Sequence, residues 1–558
     1  MITIPGTLEE VKAFEWGTFE EELERLSKPD LTEDTFEQWM DEVNDAHWVP
    51  FTAHVILTWH SRNDTTDEDV AKHLAKFYKE IYPSLEPKLS KLSKKAVNAR
   101  VASRKYDQAF DEIKAEHQIS NSESAKLEAE DAAAKNTLNK SFSALTISIN
   151  GEEVSYREAR AKLKTELNSE ARRHIWEATQ EARSSFVEER FEQIKDIIRI
   201  RRSIAESAGA KSYRDFVWAS NKRDFSADQT LQFATTAEEV FRNLADEVMQ
   251  NRAEKLGISK VRPWDVDVGI NEKSNSDSVL DAKRYQEIAV KVFNEIDDEL
   301  ASIVKGIAEN GNFDLMTRQR KAQNNYASYI YPGNKPLVFT NAVGHVSDLS
   351  TILHECGHCC HYSLSHIAKN DYWTFLGRTD LNETIARFVE NIGILTLSEL
   401  GVLDTSSLEI YRNQQIFTLL NTLRMIGNRD IFQHWVYDQA LEDLTLENFD
   451  EFYLKNNRKY EVDWSGWEKH LARGWSDITN FTHPFRTIEY SMAGIAYILL
   501  LKQYTEDRKE SLITLKEVMR KGKRISLKGM MNAFDLPHPL EEKALEMTHE
   551  YLDSNRLR

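Results

Sequence analysis

The stretch "ILHECGHCCHYSLSH", residues 352–366, gathers four histidines, one glutamate and all three cysteines of a 558-residue chain. On a helix, residues four apart lie one turn apart on one face, so His354 and His358 direct their imidazoles at a common point. Glu355 sits one position round from that face, where its carboxylate reaches a water on a metal rather than the metal itself. His361 returns to the face seven residues after His354, either supporting a ligand or as a core histidine. The cysteines admit a structural metal site, a redox pair or plain packing; Cys356 and Cys360 point away from the His354/His358 direction, which favours packing.

Upstream, "KPLVFTNAVG", residues 335–344, is a short apolar run closed by Gly344 and reads as a strand entering a turn. Ser347 or Asp348 then caps a helix running through about Ser365. Downstream, "GRTDLNETIARFVENIGILTLSEL" reads as a second helix starting near Asp380 or Asn382, with Glu383 and Glu390 two turns apart on one face. Carboxylates on an otherwise apolar helix face require partners. Two neutral imidazoles and one carboxylate leave a zinc ion an open fourth position, so Glu383 is the expected third ligand beside His354 and His358. Glu390 is expected behind them, holding a ligand histidine by its other ring nitrogen.

The rest of the chain is helical in pattern. Glycine and proline number only 20 and 11, and apolar residues recur at three- and four-residue spacing among Glu, Lys and Arg, which predicts a mainly α fold. In "LERLSKPDLTEDTFEQWMDEV", Thr32 or Asp34 caps a helix whose apolar face includes Phe36, Trp39, Met40 and Val43. The exception is "LTISINGEEVSY", where alternating apolar residues flank Asn150-Gly151, the pair suited to a tight hairpin. Residues 120–141 suit an exposed long helix, and 269–281 a surface loop.

With 72 basic against 91 acidic residues the net charge is −19, which argues against nucleic acid and anionic membranes as partners. The N-terminal stretch carries no basic segment before an apolar run, and the chain has no apolar stretch of about 18 residues. Three cysteines confined to residues 356–360 make no disulfide framework across the fold. The expected location is the cytoplasm.

The segments "AGAKSYRDF" (208–216), "RPWD" (262–265), "KAQNNYASYIYP" (321–332), "PLVFTNAVGHVSDLSTILHECGH" (336–358), "NETIARFVENI" (382–392) and "PFRTIEYSMA" (484–493) follow one another in a familiar order. On them the chain resembles the oligoendopeptidase F and thimet oligopeptidase family of zinc metallopeptidases. That family places its third zinc ligand 25 residues after the second histidine, as Glu383 stands after His358. The resemblance implies a two-lobed helical zincin-type fold with a deep central channel, a small hairpin and a short sheet near the zinc helix. It implies one zinc ion per chain and cleavage of short unstructured peptides. The expected division is an N-terminal lobe over 1–200, with the hairpin near 145–156, and a catalytic lobe over 201–558. The strand "PLVFTNAVG" is expected to offer an edge to substrate backbone.

One segment departs from the family. Where such peptidases carry "PFYYIEY" and a histidine upstream, this chain has "THPFRTIEYSMA": Arg486 and Thr487 replace the tyrosine pair, and Thr479 stands near the histidine's place. Tyr490 is the matched donor to a tetrahedral oxyanion, with His483 or Arg486 as replacement donors and Glu355 as general base. A peptide-binding zinc protein of the same fold with weakened chemistry is the alternative. Peptide preference and oligomeric state are not legible in the chain.

Overall fold

The computed structural model describes residues 2–99, 101, 103–119, 122–269, 280–457, 462–477 and 479–555. The fold is mainly α, with five short strands among the described residues. Thr32 caps the long helix Glu33–Asn63 in a reciprocal capping box with Thr35, and Phe36, Trp39, Met40 and Val43 form its buried face. No helix among the described residues is long and apolar enough to cross a membrane.

Two compact units divide the chain, and they do not follow the single cut near residue 200. One comprises Met1–His117, Ser274–Glu409 and Ala496–His538; the other comprises Gln118–Lys273, Ile410–Ile495 and Pro539–Arg558. Compactness follows contacts between distant segments rather than chain order, which a linear pattern of helices does not report.

In the second unit, strands β1 (Thr146–Ile149) and β2 (Glu152–Ser155) pair antiparallel, with Ile149 opposite Glu152. Asn150 and Gly151 both have positive φ, the requirement of a two-residue turn whose twist matches its strands. Ile147, Ile149 and Val154 pack against Trp176 and Trp264. The helix expected over 120–141 is present as Ser122–Ser143; most of its described residues are exposed, but one side is packed, where Leu138 is buried and buried Asp131 accepts a 2.8 Å hydrogen bond from buried Arg201. Of the loop expected at 269–281, residues 270–279 lie outside the described residues.

The first unit holds a three-stranded sheet in the order β3 (Phe313–Met316), β5 (Lys335–Ala342), β4 (Tyr326–Ile330), with β3 parallel and β4 antiparallel to β5. The strand "PLVFTNAVG" is therefore central, with both edges paired, and cannot offer one to a peptide. Its near-continuous burial is the mark of a strand covered on every side, whereas β4 is an outer strand.

From β5 the chain turns at Gly344 (φ +102) into helix α1 (Asp348–Ile367). Asp348 pins this turn: one carboxylate oxygen accepts the backbone N–H groups of Val343, Gly344 and His345 at 2.8, 3.1 and 3.0 Å and the Tyr285 hydroxyl at 2.8 Å. Helix α2 (Thr379–Glu399) packs along α1. A Cβ added at Gly357 of α1 would meet Ala386 Cα and Val389 Cβ of α2, each at 3.0 Å. Gly357→Ala is therefore expected to destabilise the fold. Overpacking costs about 1–3 kcal/mol, which outweighs the gain of about 1 kcal/mol in helix propensity. A lowered urea midpoint with an unchanged slope checks this, and an unchanged or raised midpoint contradicts the close approach.

Candidate metal centre

Helices α1 and α2 bring His354, His358 and Glu383 together: one ligand atom from each lies within 4.8 Å of the others. His354 Nε2 is 3.8 Å and His358 Nε2 4.0 Å from the two oxygens of Glu383. No other group of three or more His, Cys, Asp or Glu side chains among the described residues converges in this way.

Glu390, two turns after Glu383 on α2, stands on the far side of the His354 ring, its Oε2 3.2 Å from Nδ1. Its other oxygen accepts the Ser350 hydroxyl at 2.5 Å. A carboxylate there holds the proton on Nδ1 and leaves Nε2 as a lone-pair donor facing Glu383. Burial disfavours a charged His354, yet the hydrogen bond and charge of Glu390, with Glu355 and Glu383 nearby, leave its pKa above the ordinary histidine value. Burial would likewise raise Glu390, but His354, Arg387 and Ser350 hold it below the usual carboxylate range. His358 is driven far below the histidine norm by burial and by the neighbouring His354 and His361, so it is neutral, as a ligand imidazole must be.

Glu355 is buried beside this group. Burial pushes its carboxyl up to about 7; Glu383 and Glu390 add to the rise, while His354 and an amide hydrogen bond from Ala327 of β4 oppose it. The outer strand of the sheet thus reaches the carboxyl next to the ligand set.

His361 is fully buried near Gly377 and Asn382, and burial lowers its pKa to about 4 against the pull of Asn382. It makes no hydrogen bond to His354, His358 or Glu383 among the described residues. The three cysteines are free and fully buried, and Cys359 Sγ lies 3.5 Å from the Leu337 carbonyl of β5. Burial pushes all three thiols well above the ordinary value, which disfavours the thiolate and accords with a packing role.

The remaining candidates belong to the second unit. Tyr490 lies in the first turn of the helix Thr487–Glu506, with the Arg486 guanidinium 5.7 Å from its ring centroid. His483 is exposed just before it. The segment is firmly held: Asp430 accepts the Ile488 N–H at 2.9 Å, and Arg223 bridges the Phe485 carbonyl at 2.5 Å and Glu489 at 2.8 Å.

Sequence reasoning missed Ser350 and Ala327, and it gave Asp348 only as a helix cap, not as the residue that pins the preceding turn. Ser350 was findable, because it precedes His354 by four residues on the ligand face; Ala327 acts through the sheet.

The profile of peptidase family M3 matches residues 162–546, which include every side chain of the convergent group. The chain belongs to peptidase family M3. It is 25% identical over 284 residues to oligopeptidase PepF of Bacillus subtilis (strain 168), a match spanning 49% of this chain and only 41% of that relative. Among solved structures, PZ peptidase A with an inhibitor superposes with a TM-score of 0.80 at 19% identity, over 99% of this chain and 98% of that one. The oligoendopeptidase F of Enterococcus faecium superposes with a TM-score of 0.63 at 16% identity, over 98% of each chain. These likenesses show that the fold of this M3 chain is shared along its length.

Glu390→Ala is expected to weaken divalent-metal binding by about 10- to 100-fold, because His354 loses the partner that sets its tautomer and orientation. Competition against a chromophoric chelator measures this; an unchanged affinity would show that Glu390 does not position His354.

Proposed function

We propose that this chain is a zinc-dependent oligopeptidase that hydrolyses internal bonds of short, unstructured peptides. The observation that carries the reading is the convergence of His354 Nε2, His358 Nε2 and the Glu383 carboxylate beside the buried Glu355. The donor set suits the metal: two imidazoles and one carboxylate, with the His354 tautomer set by Glu390, are the ligands of a catalytic zinc. A zinc ion held there supplies Lewis acidity that makes water a nucleophile near neutral pH.

Glu355 takes the proton from the attacking water and delivers it to the leaving nitrogen; a carboxyl raised toward 7 is well matched to both transfers. The outer strand β4, whose Ala327 amide reaches Glu355, offers an edge on which an extended peptide can lie. Tyr490, with His483 or Arg486, is the proposed donor set for the oxyanion, each donor worth about 100- to 1000-fold in rate. Family membership supports peptides as the substrate class.

The second reading, a peptide-binding zinc protein with weakened chemistry, draws on one observation: Arg486 stands where the family has tyrosine and packs on Tyr490.

A mixed pool of short peptides incubated with the zinc-loaded protein is expected to yield fragments by mass spectrometry. Glu355→Gln is expected to keep its zinc while losing turnover by about 100- to 10,000-fold. Cleavage that survives this substitution would defeat the assigned base, and bound but intact peptides with zinc in place would favour the second reading. Chelation is expected to abolish cleavage and added zinc to restore it.

A further inference from the structure

The second unit contains a cavity of about 270 Å³ to which none of the metal-site residues contributes. Its charge runs against that of the chain. Arg160, Arg183, Arg424 and Arg429 line it, against two aspartates, Asp267 and Asp477, in a protein of net charge −19. Two of the arginines use up those aspartates: Arg160 pairs with Asp267 at 2.9 Å and Arg429 with Asp477 at 2.8 Å. Arg183 has no carboxylate partner among the described residues. Its terminal nitrogens reach only neutral oxygens, Ser476 Oγ at 3.1 Å and Gln180 Oε1 at 3.5 Å, and its buried Nε has no acceptor.

Behind this wall lies Arg190, only 2% exposed, with no hydrogen-bond acceptor for any of its three guanidinium nitrogens among the described residues. Its guanidinium stands over the Phe142 ring, 5.4 Å from the centroid. Burial together with Arg183 pulls its pKa down to about 10 against the opposing pull of Tyr156, Asp477 and Glu189; of these neighbours Arg183, Tyr156 and Asp477 line the cavity. A buried guanidinium without a hydrogen-bonded anion is costly, so Arg183 and Arg190 leave this part of the cavity with cationic groups that no carboxylate of the described residues pairs directly.

The same cavity is also lined by aromatic rings. Trp176 meets Trp264 at 5.6 Å and Trp464 at 6.0 Å between ring centroids, and His470 closes the group 5.5 Å from Trp176. Trp264 and Pro263 come from "RPWD", a motif for which the metal centre has no use. The stretch is locked by its own aspartate, Asp265, in a buried ion pair with Arg172 at 2.6 Å, so the tryptophan face is rigidly presented. Forked guanidinium groups suit carboxylate and phosphate, and flat aromatic faces suit a planar apolar body.

We propose that this cavity is a binding site for a small organic anion, a phosphate- or carboxylate-bearing molecule with a flat apolar part. The site does not depend on the peptidase reading, and its test needs neither zinc nor turnover. Three tryptophans in or beside the cavity provide the signal: intrinsic fluorescence of the full chain is titrated with phenyl phosphate, benzoate and inorganic phosphate, and with benzyl alcohol as the uncharged control. A saturable change is expected with at least one aromatic anion, weakening with added salt, and none with benzyl alcohol. Phenyl phosphate binding alone identifies a phosphate ligand, and benzoate binding alone a carboxylate ligand. In Arg183→Gln the affinity is expected to fall about tenfold or more, with Arg183→Lys intermediate, as loss of a charge-assisted pair requires. Arg429→Gln, carrying an unchanged far-ultraviolet spectrum, serves as a second variant in the lining of the same cavity. No saturable change with any anion, equal binding of benzyl alcohol, or affinity unaltered in both folded variants would overturn the proposal.

Discussion

Helices α1 and α2 approach so closely at Gly357 that a methyl group there would press on the backbone of Ala386 and the side chain of Val389. A second contact of the same kind places Gly393 of α2 against Leu353 of α1, where an added Cβ would lie 3.0 Å from Leu353 Cδ1. Together they fix both the separation and the rotation of α2. Once its rotation is fixed, two glutamates seven residues apart must both face α1, and His354 lies between them. Glu383 meets its Nε2 and Glu390 its Nδ1. The geometry of the candidate centre is thus a consequence of missing side-chain volume one helical turn away.

That arrangement is electrostatically demanding. Glu355, Glu390, His354 and His358 are drawn out of water within two helices, and burial opposes the charged form of each. The structure divides the burden. Glu390 is kept ionised by His354 and Ser350, His358 stays neutral, and Glu355 is left near the point where a proton is easily gained or lost. Cys356, Cys359 and Cys360 of α1 occupy buried space as small apolar residues, Cys359 against strand β5.

The second unit shows how little a whole-chain charge says about a particular place. The chain as a whole carries an excess of acidic residues, whereas around the tryptophan-lined cavity of this unit arginines outnumber aspartates, and Arg190 is buried without a hydrogen-bond acceptor among the described residues. The same unit carries Tyr490, His483 and Arg486 on a segment braced by Arg223 and Asp430.

Much of this was legible in the chain because it is local. Four-residue spacing determined that His354 and His358 share a face, seven-residue spacing did the same for Glu383 and Glu390, Asn150-Gly151 determined the hairpin, and Thr32 the start of a long helix. The tertiary structure alone decided that the strand 335–342 is central rather than an available edge, that β4 is the outer strand reaching Glu355, and that the compact units are woven from separate segments. It alone brought arginines from positions 160 to 429 around one cavity. Periodicity records which face a residue occupies on its own helix or strand. Which face meets which is settled by packing between segments hundreds of residues apart, and no local pattern encodes it.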